Sequence, residues 1–232
     1  MNRLVNKAIE KSQVQKIAKL QYKRRWSPDI VISRDPGSGG HVIAGKIAKR
    51  LGWHLFDRML IAKLSKELNI PENEVIGVDE HSRSWFADIF HSVFNPDYVS
   101  DVRYITRLKR LLNHASKKSD LVIMGHGANY ILPSDKCLRV RITAPYKNRV
   151  DNTYKYEHKA SWQEAAQHVQ KIEKQYNQFI RQYFGKNPHN PWDYDLVIST
   201  NHFNLDQAAD IIIKAYQTKF PNEKSRLKTQ TS

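Results

Sequence analysis

Asp29-Ile30-Val31-Ile32-Ser33-Arg34-Asp35-Pro36-Gly37-Ser38-Gly39-Gly40-His41-Val42-Ile43-Ala44 is the stretch on which the fold turns. Residues 29–33 form a short continuous apolar run, the pattern of a strand covered on both faces. A turn with three glycines follows. Ile43, Ala44, Ile47, Ala48 and Leu51 then recur at helical spacing until Gly52 closes the helix. Strand, glycine-rich turn, helix is the setting in which main-chain amides can cradle an anion. Glycines let the backbone curl and approach closely, and the positive end of the helix dipole adds its field. Gly37, Ser38, Gly39, Gly40 and His41 are therefore candidate phosphate-binding residues, with a purely structural turn as the plain alternative.

Moving outward, the same alternation repeats. Trp53–Phe56 reads as a second strand, Leu121–Met124 as a third, Leu138–Ile142 as a fourth and Asp195–Ser199 as a fifth. Helical patterns lie between them: Arg58 to Leu68, 97–118, Pro145 to about His158, and a long one reaching Phe184-Gly185. Ser161-Trp162-Gln163-Glu164 is a capping-box signature that opens the last of these. A closing helix runs from Asn204 to about Phe220. Uniformly apolar strands alternating with helices predict an α/β three-layer sandwich around a parallel five-stranded sheet.

The chain has 232 residues and shows no linker long enough to split it into two domains. The expected division is a basic helical arm over 1–28, one domain over 29–218 and a basic tail over 219–232. The net charge of +15 is concentrated at the ends. Residues 1–25 hold eight Lys/Arg against one acid, and 214–232 hold five against one, leaving the middle mildly basic. Such ends can touch nucleic acid or an acidic surface, or serve as solvated tails. A single cysteine, Cys137, excludes an internal disulfide and a cysteine-rich zinc site. No apolar leader and no run long enough for a membrane span appear, so the expected location is the cytoplasm. No H-E-x-x-H or G-x-S-x-G motif is present.

The usual phosphate loop, G-x-x-x-x-G-K-[ST], is not met. If Gly39 takes the last glycine slot, Gly40 stands in the lysine slot and His41 in the hydroxyl slot. A shift by one puts His41 and Val42 there instead. Either way the lysine charge and the metal-touching hydroxyl are missing. Phosphoryl transfer depends mainly on positioning and charge neutralisation, so a cation must come from elsewhere.

Three segments together resemble the cytidylate kinase-like family, a branch of the P-loop nucleoside monophosphate kinases. Ile32–Gly40 is similar to its I-S-R-(E)-x-G-S-G-G loop, which also lacks the lysine. Leu55-Phe56-Asp57-Arg58 is similar to its Y-D-(K/R) step. Val122-Ile123-Met124-Gly125-His126-Gly127-Ala128-Asn129-Tyr130-Ile131-Leu132 is similar to its V-I-V-G-R-G-A-x-Y-I-L segment. The resemblance implies ATP-dependent phosphorylation of a pyrimidine monophosphate, CMP or dCMP, with Mg²⁺ held mainly through substrate phosphates. It implies that Arg34 and residues 37–41 hold donor phosphates, that Asp57, Arg58, His126 and Gly127 line the acceptor side, and that residues 145–186 form a helical lid.

Within that lid Lys171, Lys174 and Arg181 share one helical face, so Lys174 and Arg181 join Arg34 as candidate catalytic cations; a solvated face is the plain alternative. His41 and His126 stand where the family usually has arginine. Histidine loses the planar fork and the permanent charge, and His41 at a helix N-terminus is further disfavoured as a cation. Two rival expectations remain: a catalytically silent nucleotide-binding protein, and a nucleic-acid-associated protein acting through the basic arm.

Overall fold

The computed structural model describes residues 27–56 and 101–223. The arm up to residue 26, Asp57, Arg58 and the helix expected from Arg58, and the tail from residue 224 lie outside the described residues.

Five strands form one sheet: β1 Asp29–Arg34, β2 His54–Phe56, β3 Leu121–Met124, β4 Cys137–Thr143 and β5 Leu196–Ser199. Their order is β2-β3-β1-β4-β5 and every pairing is parallel. Parallel neighbours need crossover connections. Helices α1 (Gly40–Leu51), α2 (Asp101–Lys118), the one-turn α3 (Ala128–Ile131), α4 (Tyr146–Tyr156), α5 (Trp162–Phe184) and α6 (Leu205–Lys219) lie in them or close the chain. The three-layer arrangement expected from the strand pattern is the one observed.

β1 shows why its run is apolar throughout. Side chains alternate across the pleat, so Ile30 and Ile32 pack with Ile43 and Ile47 of α1 and Ala208 and Ile212 of α6. Val31 packs on the opposite face with Leu108, Leu111 and Leu112 of α2 and Phe179 and Ile180 of α5. Trp53 does not join β2; it packs edge-on against Tyr216 of α6, ring centroids 5.1 Å apart. The chain leaves β1 towards one edge of the sheet and leaves β4 towards the other. A crevice therefore opens between the carboxyl ends of these adjacent strands, the usual place for a ligand in a doubly wound sheet.

The capping residues explain the helix limits. Ser161 Oγ accepts the Glu164 amide at 3.1 Å, while the Glu164 carboxylate takes the Ala160 amide at 2.8 Å, one residue further back than a reciprocal capping box requires. Asn204 and Gln207 make a full capping box on α6. The lid expectation over 145–186 narrows. Ile172, Tyr176, Phe179 and Ile180 of α5 are buried, and the last three belong to the core between α2 and the sheet. The C-terminal half of α5 is thus part of the body, because its apolar face is consumed there. Only α4 and the outer half of α5, joined through Val150, Ala165 and Val169, form a separate small cluster.

Candidate functional site

The loop leaves β1 at Arg34 and enters α1 at Gly40, with Gly39 as its N-cap in the left-handed conformation. That places Gly40 in the lysine slot and His41 in the hydroxyl slot. Gly37 and Gly39 have φ of 76° and 79°, a region that side chains rarely adopt. No side chain caps α1. The loop carbonyls are held by neighbours: Asn152 Nδ2 of α4 donates to Gly37 O at 2.9 Å, and Thr200 Oγ1 after β5 donates to Ser38 O at 3.0 Å. Among the described residues the amides of Gly37, Gly39 and Gly40 meet no backbone acceptor. An anion at the head of α1 would find these donors unclaimed.

Ser38 departs from expectation. Its amide donates to Asp35 O at 3.2 Å and its hydroxyl donates to the same oxygen at 2.7 Å. Fully buried, Ser38 shapes the loop and has no donor left for a phosphate. Asp35 is fixed in turn: Arg141 Nη2 donates to Oδ1 and Thr143 Oγ1 donates to Oδ2 at 2.6 Å, both from β4. Burial draws the Arg141 guanidinium down, but Asp35 beside it raises the net value above the ordinary range. His189 Nδ1 lies 2.9 Å from Arg141 Nη2 and, facing a pure donor, must accept.

Arg34 stands beside the loop. Burial pulls its guanidinium down to about 9, with Tyr176 and Glu157 opposing, so it stays charged at neutral pH. Arg149 of α4 meets the loop through its backbone: its carbonyl oxygen would lie 2.2 Å from a Cβ placed on Gly37. Its side chain is buried and reaches Glu173 Oε2 at 3.4 Å. Its Nε and Nη1 have no hydrogen-bond partner. A buried guanidinium with two unused donors is costly unless an anion arrives to take them.

Lys174 and Arg181 are not brought to the loop. Both are exposed, as is Lys171, on the face of α5 opposite Ile172, Tyr176 and Phe179. The expected stripe exists, but it points to solvent. His41 is exposed at the start of α1. His126 is buried, with a left-handed backbone (φ 57°) and its ring edge-on to Phe56 at 6.0 Å. Burial, and then the nearby Arg34 charge, push its pKa down to about 3, so it is not a cation at physiological pH. Gly127 has a packing reason to be glycine: a Cβ there would lie 2.3 Å from the Phe184 ring. Sequence reasoning missed Asp35, Arg141, Asn152 and Thr200 as loop supports. Only the acidic position in the loop motif hinted at Asp35.

A model of the cytidylate kinase-like family matches residues 29–202. The chain belongs to that family. The matched span runs from the start of β1 to just past β5, so the cytidylate kinase-like region includes the loop, helices α4 and α5 and the whole sheet. Among solved structures, an uncharacterized protein from Eubacterium ventriosum is 21% identical over 82% of this chain and 99% of its own, with a TM-score of 0.60. That likeness shows the fold. Shikimate kinase from Acinetobacter baumannii in complex with shikimate is 18% identical over 85% of this chain and 95% of its own, TM-score 0.41. A gluconokinase from Sinorhizobium meliloti is 12% identical over 90% and 100%, TM-score 0.40. No curated protein matches the sequence. Among the described residues no helix is long and apolar enough to cross a membrane.

Proposed function

We propose that this protein transfers the γ-phosphoryl group of ATP to a nucleoside monophosphate, with CMP or dCMP as the first acceptors to examine. Family membership supports the reaction class. The observation that carries the reading is the loop itself: unclaimed amides at Gly37, Gly39 and Gly40, with the Arg34 stem against Gly40 and the Arg149 backbone against Gly37. In this reading the amides hold the donor phosphates, and Arg34 offsets their charge. Arg149 takes up negative charge as the acceptor phosphate oxygen attacks in line and ADP leaves. Asp57 and Arg58 are proposed for the acceptor side. His126 serves there as a neutral group that excludes water. The cytoplasm is the proposed location.

The described residues do not fit a protein-held magnesium ion. The loop hydroxyl of Ser38 is spent on Asp35 O, His41 fills the hydroxyl slot, and no group of three metal-ligating side chains occurs among them. An ion carried in by the nucleotide phosphates remains compatible with the loop.

Coupled ADP release across CMP, dCMP, UMP, AMP and GMP tests the reading. Turnover with one of them is the expected result, and ATP binding without turnover on any would reject it. A silent nucleotide-binding role is the second reading, favoured by the side-chain-free Gly40 in the lysine slot. Measurable turnover that disappears in Gly39→Asp would dispose of it.

A further inference from the structure

Gly40 is a glycine whose backbone does not require one. Gly37 and Gly39 take positive φ, but Gly40 does not; it is a helical residue in the first turn of α1, where glycine is a poor choice. Gly45, further along the same helix, shows the ordinary case: a Cβ there would meet nothing within 4 Å. At Gly40 a Cβ would lie 2.8 Å from Cβ of Arg34, 2.9 Å from its Cδ and 3.2 Å from its Cγ. The stem of Arg34 therefore crosses the point from which a lysine in that slot would start. Beyond the stem, the guanidinium acts on His126 at the end of β3 and is acted on by Tyr176 of α5 and Glu157 at the end of α4. The stem thus runs along the head of α1, with its Cδ beside Gly40.

We infer that Arg34 supplies, from the end of β1, the cation that the ordinary loop supplies from the first residue of its helix, and that Gly40 is glycine to give the arginine stem room. The inference deepens the nucleotide-binding reading above and rests on it. Positions 34 and 40 become one unit: a side chain at 40 and an arginine stem at 34 compete for one space. The exchange also changes the chemistry of the grip. A guanidinium presents a planar fork that can take two phosphate oxygens at once, whereas an ammonium acts as a point charge. Its fixed charge suits a partly buried place, because it survives the burial that would neutralise a lysine.

The test uses the full chain with Arg34→Ala, Gly40→Ala and the double variant Arg34→Gly/Gly40→Lys, glycine being needed at 34 because a Cβ there would lie 2.8 Å from one at 40. Dissociation constants for ATP, ADP and AMP are measured by titration calorimetry, and melting temperatures are recorded beside them. Arg34→Ala and Gly40→Ala are each expected to weaken ATP by roughly tenfold or more, the loss of a charge-assisted contact, while AMP changes by less than about twofold. Gly40→Ala should melt lower than the parent, because its Cβ presses on the base of the Arg34 side chain, and the contrast between ATP and AMP separates that from a loss of grip on the nucleotide. The double variant should recover most of the ATP affinity lost in Arg34→Ala. Wild-type ATP affinity in Gly40→Ala, an equal loss for ATP and AMP, or a double variant no better than Arg34→Ala would overturn the inference. A parent protein that binds ATP but turns over no monophosphate would reject the kinase reading alone, leaving these constants to decide the Arg34 inference. A parent that binds no ATP would reject both.

Discussion

Two glycine turns hang from neighbouring strands of this sheet, and they have opposite fates. Pro36-Gly37-Ser38-Gly39 follows β1, and Gly125-His126-Gly127 follows β3. Both contain left-handed residues and both lead into a helix. After β1 the helix has 12 residues, with the Arg34 stem beside its first residue. After β3 it has four residues, and the space over the turn is filled by the rings of Phe184 and Phe56. A glycine turn at the carboxyl end of a strand is therefore only a permission. What occupies the adjoining space decides whether the turn becomes a cradle or a packing corner.

The sharpest way to break this contrast is to put a carboxylate in the first turn. Gly39→Asp is expected to weaken ATP by more than about 100-fold in calorimetry, because it sets a negative charge among amides meant for phosphate. Nucleotide affinity unchanged in that variant would show that the first turn is also a mere corner.

The strands carrying both turns are tied at their far ends by Asp29, whose carboxylate accepts the Leu121 amide at 3.1 Å. Burial raises its pKa to about 7, against the nearby Ser116 hydroxyl and the Leu121 amide, which lower it. A raised carboxyl pKa contributes stability that is fully present below the ordinary value of 3.8 and is lost as pH rises through about 7. Asp29→Asn keeps the acceptor oxygen and removes the ionisation. It should match the parent in stability near pH 4 and exceed it by a few kcal/mol at pH 8, read by denaturant melts at both values. Equal stability at pH 8 would mean that the carboxyl group ionises there without penalty.

Gly127→Ala should cost about 2 kcal/mol through overpacking against Phe184, while ATP affinity stays within about twofold. Relief of the melting defect by Phe184→Leu in the same chain would confirm the ring as the cause. Smaller still is the expected effect of Arg149→Ala, roughly a tenfold fall in kcat/KM, against changes below about twofold for Lys174→Ala and Arg181→Ala. A larger loss at Lys174 than at Arg149 would reverse the placement of the lid cations.

The difference between Arg149 and Lys174 also marks how far sequence reading reaches here. Period and punctuation were enough for the parallel sheet, the loop and the long helices among the described residues, because burial on both faces of a strand and closure by glycine are local requirements. The shared face of Lys171, Lys174 and Arg181 was legible for the same reason. Its direction was not, because that depends on which face of α5 the core of Phe179 and Ile180 claims. Asp35 and Arg141 pair across 106 residues of chain, and nothing in either neighbourhood announces the partner. The loop register stayed open between two alignments until the N-cap at Gly39 placed Gly40 in the helix.

Helix α5 is an unbroken rod of 23 residues, about 34 Å from end to end. Its outer end is gripped by α4 and its inner end is sunk among the strands, with the Tyr176 hydroxyl bonded to Ser33 one residue before Arg34. Such a rod is stiff over its length, so the outer helices cannot swing as a flap on a free hinge. Any tilt of α4 is felt at Tyr176, and through it at the point where the chain turns out of the sheet into the phosphate loop. The posture of α4 and that of the loop are thereby mechanically joined.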